Sequence, residues 1–294
     1  MKGAKPAAEP AVDPASLASI ADLELVARIV VEGLVSGLHR SPFHGYSAEF
    51  SQYRRYRPGD DLKYVDWKLV ARTDRVYTKQ FRETTNMATA IVLDTSGSMA
   101  FPETGSKFRY AMMASAALAH LIARQGDAVG LVARDRFVAP RTGRVHLRSL
   151  LATLAALRPH DVWEPAEMIR RAAERLGRRG LIFVLSDLYD DEERTMVELR
   201  RAARMGHEIV VLQVMSRPEI EFSYGRDVEL VDLETGRSLS LNAPSARREY
   251  VDAVSAFLER CRSRATSEGF QYTLLMTDTP IERALRLVLL ARQH

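Results

Sequence analysis

Ala90-Ile91-Val92-Leu93-Asp94-Thr95-Ser96-Gly97-Ser98-Met99 is the stretch whose reading decides the fold. An apolar run halts at an aspartate, and two serines follow at alternate positions around a glycine. Ala88 to Leu93 has no polar period, which predicts a strand covered on both faces. Asp94 then falls at the carboxyl end of that strand, where open α/β sheets place their ligands. One carboxylate and two hydroxyls turned inward by a glycine-containing loop form a hard oxygen site. Such a site suits Mg2+, Mn2+ or Ca2+ and suits Zn2+ poorly.

Downstream, strands alternate with helices. Lys107 to Arg124 reads as an Ala-rich helix stopped by Gly126, and Asp127 to Arg134 as a strand. Phe137-Val138 and Arg144-Val145 predict a short hairpin arm, and Leu147 to Leu157 a helix. Glu164-Pro165 opens another helix, with Gly177 past its end. The apolar run Leu181 to Leu185 also stops at an acid, in Ser186-Asp187. Asp190, Asp191, Glu192 and Glu193 then favour the start of a helix. His207 to Val214 is a strand. Residues 216–242 predict a β excursion, running from Glu219 with turns at Tyr224-Gly225 and Thr235-Gly236. A long helix from Pro244 to Ser267, a strand from Phe270 to Met276 and a helix opened by the capping box Thr279-Pro280-Ile281-Glu282 complete the chain. This alternation implies an α/β fold, a mainly parallel sheet with helices on both faces, over 87–294.

Upstream, residues 1–15 are rich in Ala and Pro and are expected to be a disordered tail. Residues 16–86 are expected to hold an N-terminal helix, from about Ser16 to Leu34, and a small β-rich extension beside the main sheet. That zone contains a turn signal at Pro58-Gly59-Asp60-Asp61 and an alternating strand from Val76 to Arg82. Arg54, Arg55 and Arg57 with Asp60 and Asp61 read equally as a partner surface or as a turn held by Arg–Asp pairs. Trp67 is expected to pack the extension onto the sheet.

Composition bounds the function classes. Among 294 residues, 46% are hydrophobic and 27% charged, as in an ordinary soluble protein. The single cysteine, Cys261, excludes a disulfide framework and a cysteine zinc site and fits a reducing compartment. Lys2 and Lys5 are not followed by the apolar run of a signal peptide. The longest uncharged apolar stretch, between Arg109 and Arg124, is shorter than the roughly 20 residues that cross a bilayer. The expectation is a cytoplasmic protein without a membrane span. The net charge of +4 comes from arginines scattered over helical segments rather than gathered with aromatics, which argues against nucleic acid. It leaves room for an acidic protein partner.

Asp94, Ser96, Ser98 and Asp187 therefore lie just past two buried strands, whose ends converge at the mouth of a parallel sheet. A buried carboxylate pair is costly unless a cation or hydrogen bonds compensate it. Either aspartate alone reads as a loop cap. Together with two alternating serines, a metal site is the favoured reading.

Asp94-x-Ser96-x-Ser98 after one buried strand, with Ser186-Asp187 after a later one, resembles the metal-ion-dependent adhesion site of von Willebrand factor A domains. The resemblance covers residues 88–294. It implies that Ser96 and Ser98 bind the cation directly and that Asp94 and Asp187 act largely through water. It also implies an open coordination position filled by an acidic residue of a client protein. Such sites usually add a threonine before the middle helix. Here that loop is Pro159-His160-Asp161-Val162-Trp163-Glu164-Pro165, without one. Asp161 or Glu164 is the candidate replacement. Glu49-Phe50, Tyr56-Arg57-Pro58-Gly59-Asp60-Asp61, Val65-Asp66-Trp67-Lys68 and Ala71-Arg72-Thr73 add a second resemblance. They are similar, in order, to the bacterial family of unknown function numbered fifty-eight, from about Ser36 onward. Its members are commonly encoded beside MoxR-type AAA+ ATPases. The implied role is a non-enzymatic, chaperone-like adaptor of such an ATPase.

A Mg2+-dependent phosphoryl hydrolase is the alternative. Aspartyl-phosphate enzymes need a second carboxylate two residues after the nucleophile for acid–base work, and Ser96 stands there. No lysine or arginine is expected near Asp187 to bind phosphate, since the residues that follow it are Leu188, Tyr189, Asp190 and Asp191. No P-loop signature is present.

Overall fold

A computed structural model describes residues 20–36, 47–57, 65–73, 75–84, 87–102, 106–134, 136–159, 164–177, 179–189, 192–225, 227–231, 233 and 236–291. The tail 1–15, the turn at 58–61, Asp161, Asp190 and Asp191 lie outside the described residues. The chain begins with α1 (Ile20–Ser36), β1 (Ser47–Arg55), α2 (Trp67–Thr73) and β2 (Tyr77–Thr84). The strand read first, β3 (Ala88–Leu93), leads into a 3₁₀ turn at Gly97–Ala100 and then α3 (Lys107–Arg124). Next come β4 (Ala128–Ala133), β5 (Arg136–Arg141), α4 (Arg144–Ala156), α5 (Pro165–Leu176) and β6 (Gly180–Ser186). They are followed by α6 (Glu192–Arg204), β7 (Glu208–Met215), α7 (Arg217–Glu221), β8 (Asp227–Val231) and β9 (Ser238–Asn242). The chain closes with α8 (Ala243–Ser267), β10 (Gln271–Met276) and α9 (Ile281–Ala291).

Six strands form one sheet in the order β10-β7-β6-β3-β4-β5, all parallel except the edge pair β4 and β5. The absence of a polar period in β3 has the expected cause. Ile91 and Leu93 pack into the layer of α1, α3, α4 and α9, while Ala90 and Val92 pack into the layer of α5, α6 and α8. β6 repeats this division, with Phe183 and Leu185 on the first face and Ile182 and Val184 on the second. In α3, Ala111, Ala114, Ala117 and Ala119 are all fully buried, so the helix is covered by neighbours along most of its surface. Gly126 ends it at φ +87°, as expected of a left-handed stop. No helix among the described residues is long and apolar enough to cross a membrane.

Several local expectations change. Arg144-Val145 is not a hairpin arm but the first turn of α4, where Val145 is 85% exposed while Leu150, Leu151 and Leu154 are buried. β5 pairs back onto β4 instead, with an irregularity beside Gly130. A Cβ at Gly130 would lie 2.6 Å from the Val138 carbonyl oxygen, so only glycine admits this approach. The excursion after β7 starts with a helical turn rather than a strand. Ser216 and Glu219 close a capping box around α7, and the hairpin is confined to β8 and β9. Helix α1 contributes Leu23, Val26, Val30 and Leu34 to the main core, so its packing joins it to the sheet domain. Strands β1 and β2 form a separate antiparallel pair. Trp67 does not wedge that pair against the sheet, since it is 63% exposed. The adjacent Asp66 holds the region together. Its Oδ1 accepts the Lys68 and Leu69 N–H groups at 3.1 Å, and its Oδ2 accepts the Tyr53 hydroxyl at 2.9 Å.

His207, buried at the start of β7, pins three elements. Its Nδ1 accepts the Gly180 N–H at 3.0 Å, and its Nε2 lies 3.1 Å from the Ala173 carbonyl. A backbone N–H on Nδ1 leaves Nε2 as the protonated nitrogen, so the ring is held neutral. Burial pushes its pKa below the usual 6.5, against the opposing pull of the Ala173 carbonyl. The unfolded chain therefore binds the extra proton first. This stabilisation is complete above the ordinary imidazole value and is lost as pH falls below it. Denaturant titrations at pH 8 and pH 5.5 should show a smaller acid destabilisation for His207→Gln than for the wild type. Equal pH dependence in both would remove the pin from the account.

Candidate functional site

The parallel ladder between β3 and β6 places Leu93 opposite Leu185 and so brings the two acid-terminated strands side by side. The Asp94 N–H continues the ladder by donating to the Leu185 carbonyl at 2.9 Å. Its carboxylate then turns inward and is fully buried. Oδ1 accepts the Ser96 N–H at 2.8 Å, and Oδ2 accepts the Ser186 hydroxyl at 2.5 Å. Ser186 Oγ in turn accepts the Leu188 N–H at 2.9 Å, at a residue with φ +63°. Each strand end thus fixes the other.

The two serine hydroxyls face each other, 2.9 Å apart. Ser98 Oγ donates to Asp187 Oδ2 at 2.8 Å. Asp187 is fully buried, with Oδ1 accepting the Tyr189 N–H at 3.1 Å. Its carbonyl accepts from Gln213 Nε2 at 2.8 Å, and Gln213 Oε1 accepts the Tyr272 hydroxyl at 2.6 Å. Strands β7 and β10 therefore brace the loop after β6.

Two residues that the sequence reading did not single out complete the cluster. Lys107, the first residue of α3, is fully buried. Its Nζ donates to Asp187 Oδ2 at 2.7 Å and to Glu219 Oε1, and lies 4.8 Å from the centre of the Tyr189 ring. Glu219 is held from behind, its Oε2 accepting from the Ser216 N–H at 2.9 Å and hydroxyl at 2.6 Å. Burial alone would lower the Lys107 pKa. The Asp187 and Glu219 charges and hydrogen bonds outweigh it and raise the value, so the ammonium stays charged. Asp94 has no such partner. Burial first, and the Asp187 charge second, push it up to about 8 against the pull of the Ser186 and Ser96 hydrogen bonds. Among the described residues no three His, Cys, Asp or Glu side chains are grouped as a metal cage. The donors that converge are two carboxylates and two hydroxyls.

A match to a family known from sequence spans this machinery. Residues 52–259 match the family described as "Protein of unknown function DUF58". The chain belongs to that family. It is 29% identical over 257 residues to "Uncharacterized protein Rv1480" of Mycobacterium tuberculosis, covering 83% of this chain and 79% of the relative. It is also 29% identical over 142 residues to "Uncharacterized protein YeaD" of Bacillus subtilis, covering 47% of this chain and 33% of that protein. Among solved structures it is similar to the conserved hypothetical protein BatB from Bacteroides thetaiotaomicron, with a TM-score of 0.45 and 15% identity over 70% of this chain and 98% of that one. The pilus adhesin SpaC from Lactobacillus rhamnosus GG gives a TM-score of 0.45 and 11% identity, over 72% of this chain and 30% of that one.

Within the DUF58 match lie Asp94, Ser96, Ser98, Lys107, Asp187 and Glu219. The structure brings all six together. Glu164 is exposed immediately before α5, and the third carboxylate of the cluster is Glu219. Arg54 is half-buried at the end of β1, and Arg55 and Arg57 are exposed there. The inference that no lysine or arginine stands near Asp187 is overturned by Lys107, which is distant in sequence and adjacent in space. Two signals pointed to the missed pair. A lysine in the first turn opposes the helix dipole, so it needs a local anion. Ser216-Arg217-Pro218-Glu219 is a legible capping box. Beside the cluster, Ser98, Glu219, Phe101, Tyr189, Phe222 and Tyr250 help to line an open groove of about 970 Å³.

Ser186→Ala would leave Asp94 Oδ2 and the buried Leu188 N–H without a partner. We expect thermal or urea denaturation to show a loss of about 1–3 kcal/mol. A variant as stable as the wild type would show that the Ser186 bridge is dispensable.

Proposed function

We propose that this DUF58 chain is a non-enzymatic, divalent-cation-dependent protein-binding module of the von Willebrand factor A type. In this reading it is an adaptor for a MoxR-type AAA+ ATPase that engages a client through an acidic side chain. The observation that carries the reading is the convergence of Asp94, Ser96, Ser98 and Asp187 at the ends of two neighbouring parallel strands.

The residues fit a hard cation. All four donors are oxygens, the set that Mg2+ and Mn2+ favour. An ammonium, a monovalent stand-in, already rests against Asp187. That ammonium contacts two carboxylates, Asp187 and Glu219, while the buried Asp94 carboxylate has hydrogen bonds but, among the described residues, no cation against it, so charge remains for a divalent ion to balance. Ser96, Ser98, Asp94 and Asp187 would hold the ion, and the ion would offer its open position to a partner carboxylate. The aromatic wall of the adjoining groove would receive the residues flanking that acid.

Lys107 is the observation that keeps a phosphoryl hydrolase as the second reading, because it supplies a cation beside Asp187. Against it, Ser96 stands where the acid–base carboxylate is needed, and the ammonium is committed to two carboxylates.

Calorimetric titration with MgCl2 or MnCl2 should give heat that Asp94→Ala and Ser98→Ala each abolish. Unchanged heat in both would defeat the cation site. Uptake must expel the proton that metal-free Asp94 holds up to about 8. Apparent affinity should therefore rise with pH through the neutral range, by up to about tenfold per unit. A Mg2+-dependent pull-down of an AAA+ ATPase, lost in Ser98→Ala, tests the partner. Phosphate-ester turnover that depends on Asp94 would favour the hydrolase instead.

A further inference from the structure

Lys107 sits against ordinary helix electrostatics. It opens α3, where the positive end of the helix disfavours an ammonium, and it is fully buried. Three side chains from two segments hold it there: Asp187 and the face of Tyr189 after β6, and Glu219 in α7. The decisive detail is which oxygen it takes. Asp187 Oδ2 accepts from Lys107 Nζ at 2.7 Å and from Ser98 Oγ at 2.8 Å. Any cation held by Ser98 and Asp187 must draw on that same carboxylate. Two positive charges sharing it repel strongly in a site with little water to screen them.

We propose that Lys107 is an internal competitor for the divalent cation: its ammonium neutralises Asp187 in the metal-free protein and must yield Asp187 Oδ2 for a cation to bind. Glu219 makes the exchange feasible. It offers the displaced ammonium a second carboxylate, itself anchored by the Ser216 cap, so the charge need not lose every partner. The consequence is a site tuned to weak cation affinity, one that a ligand carboxylate completes rather than one that holds the ion permanently. This inference rests on reading the oxygen cluster as a cation site.

The test uses the full chain and titrates MgCl2 and MnCl2 by calorimetry and by thermal denaturation. The proteins are the wild type, Lys107→Met, and Lys107→Met combined with Glu219→Gln. The single variant leaves two buried carboxylates uncompensated. The double variant removes one charge of each sign, keeps the net charge of the wild type, and carries the test should the single variant fail to fold. We expect both variants to bind Mg2+ at least about tenfold tighter than the wild type. We also expect a larger Mg2+-induced rise in melting temperature, and loss of the gain when Ser98→Ala is added. Wild-type binding with equal or weaker affinity in the double variant would overturn the competitor role and leave the cation site standing. Neither heat nor a melting shift in any of the three proteins would overturn the cation site and this inference with it.

Discussion

Two carboxylates buried at the ends of neighbouring parallel strands are the constraint to which the surrounding structure answers. Their strands are not free to move apart. The β3–β6 ladder holds them, and strands in a ladder stand about 4.8 Å apart. Like charges on adjacent strand ends, out of water, demand compensation, and the Asp187 charge does raise the Asp94 pKa. The chain supplies it in layers: the Ser96 N–H and Ser186 hydroxyl on Asp94, and the Ser98 hydroxyl, Tyr189 N–H and Lys107 ammonium on Asp187. The compensation is unequal. Asp187 receives a full positive charge, whereas Asp94 receives only dipoles and is pushed towards its protonated form.

A sheet sealed on both faces is what makes such an arrangement possible. Ala90 and Val92 face one helical layer and Ile91 and Leu93 the other, so the strand end emerges from close-packed surroundings that leave the aspartate little freedom. The loops beyond the strands are braced rather than loose. Gln213 and Tyr272 link the Asp187 backbone to two further strands, and α7 is closed by its own capping box. The polar cluster is thus carried by rigid elements and borders an aromatic groove.

Much of this was legible along the chain, because both acid-terminated runs are short, apolar and without a polar period, as strands covered on both faces are. Ala-rich α3 and its glycine stop were equally clear. The misreadings have physical causes. Arg144-Val145 looked extended because valine is β-branched. The apolar positions that decide the local structure lie later, at Leu150, Leu151 and Leu154. Glu219 was absorbed into a β pattern although its capping box was visible. Lys107 was missed for a deeper reason. The surroundings of Asp187 were judged from the residues that follow it, whereas the cation against it opens α3, 80 residues earlier in the chain. Charge pairing across a parallel sheet leaves no periodic trace.

The helix that carries this ammonium has an unusual surface. Ala111, Ala114, Ala117 and Ala119 present methyl groups where leucine would present deep ridges, and α1 and α4 lie against the same helix. Shallow relief offers little interlocking, so a small axial shear of α3 meets less steric resistance than it would between ridged helices. The carboxylate cluster and the amino-terminal helix therefore meet on one rod: Lys107 stands at its first residue and α1 lies along its flank.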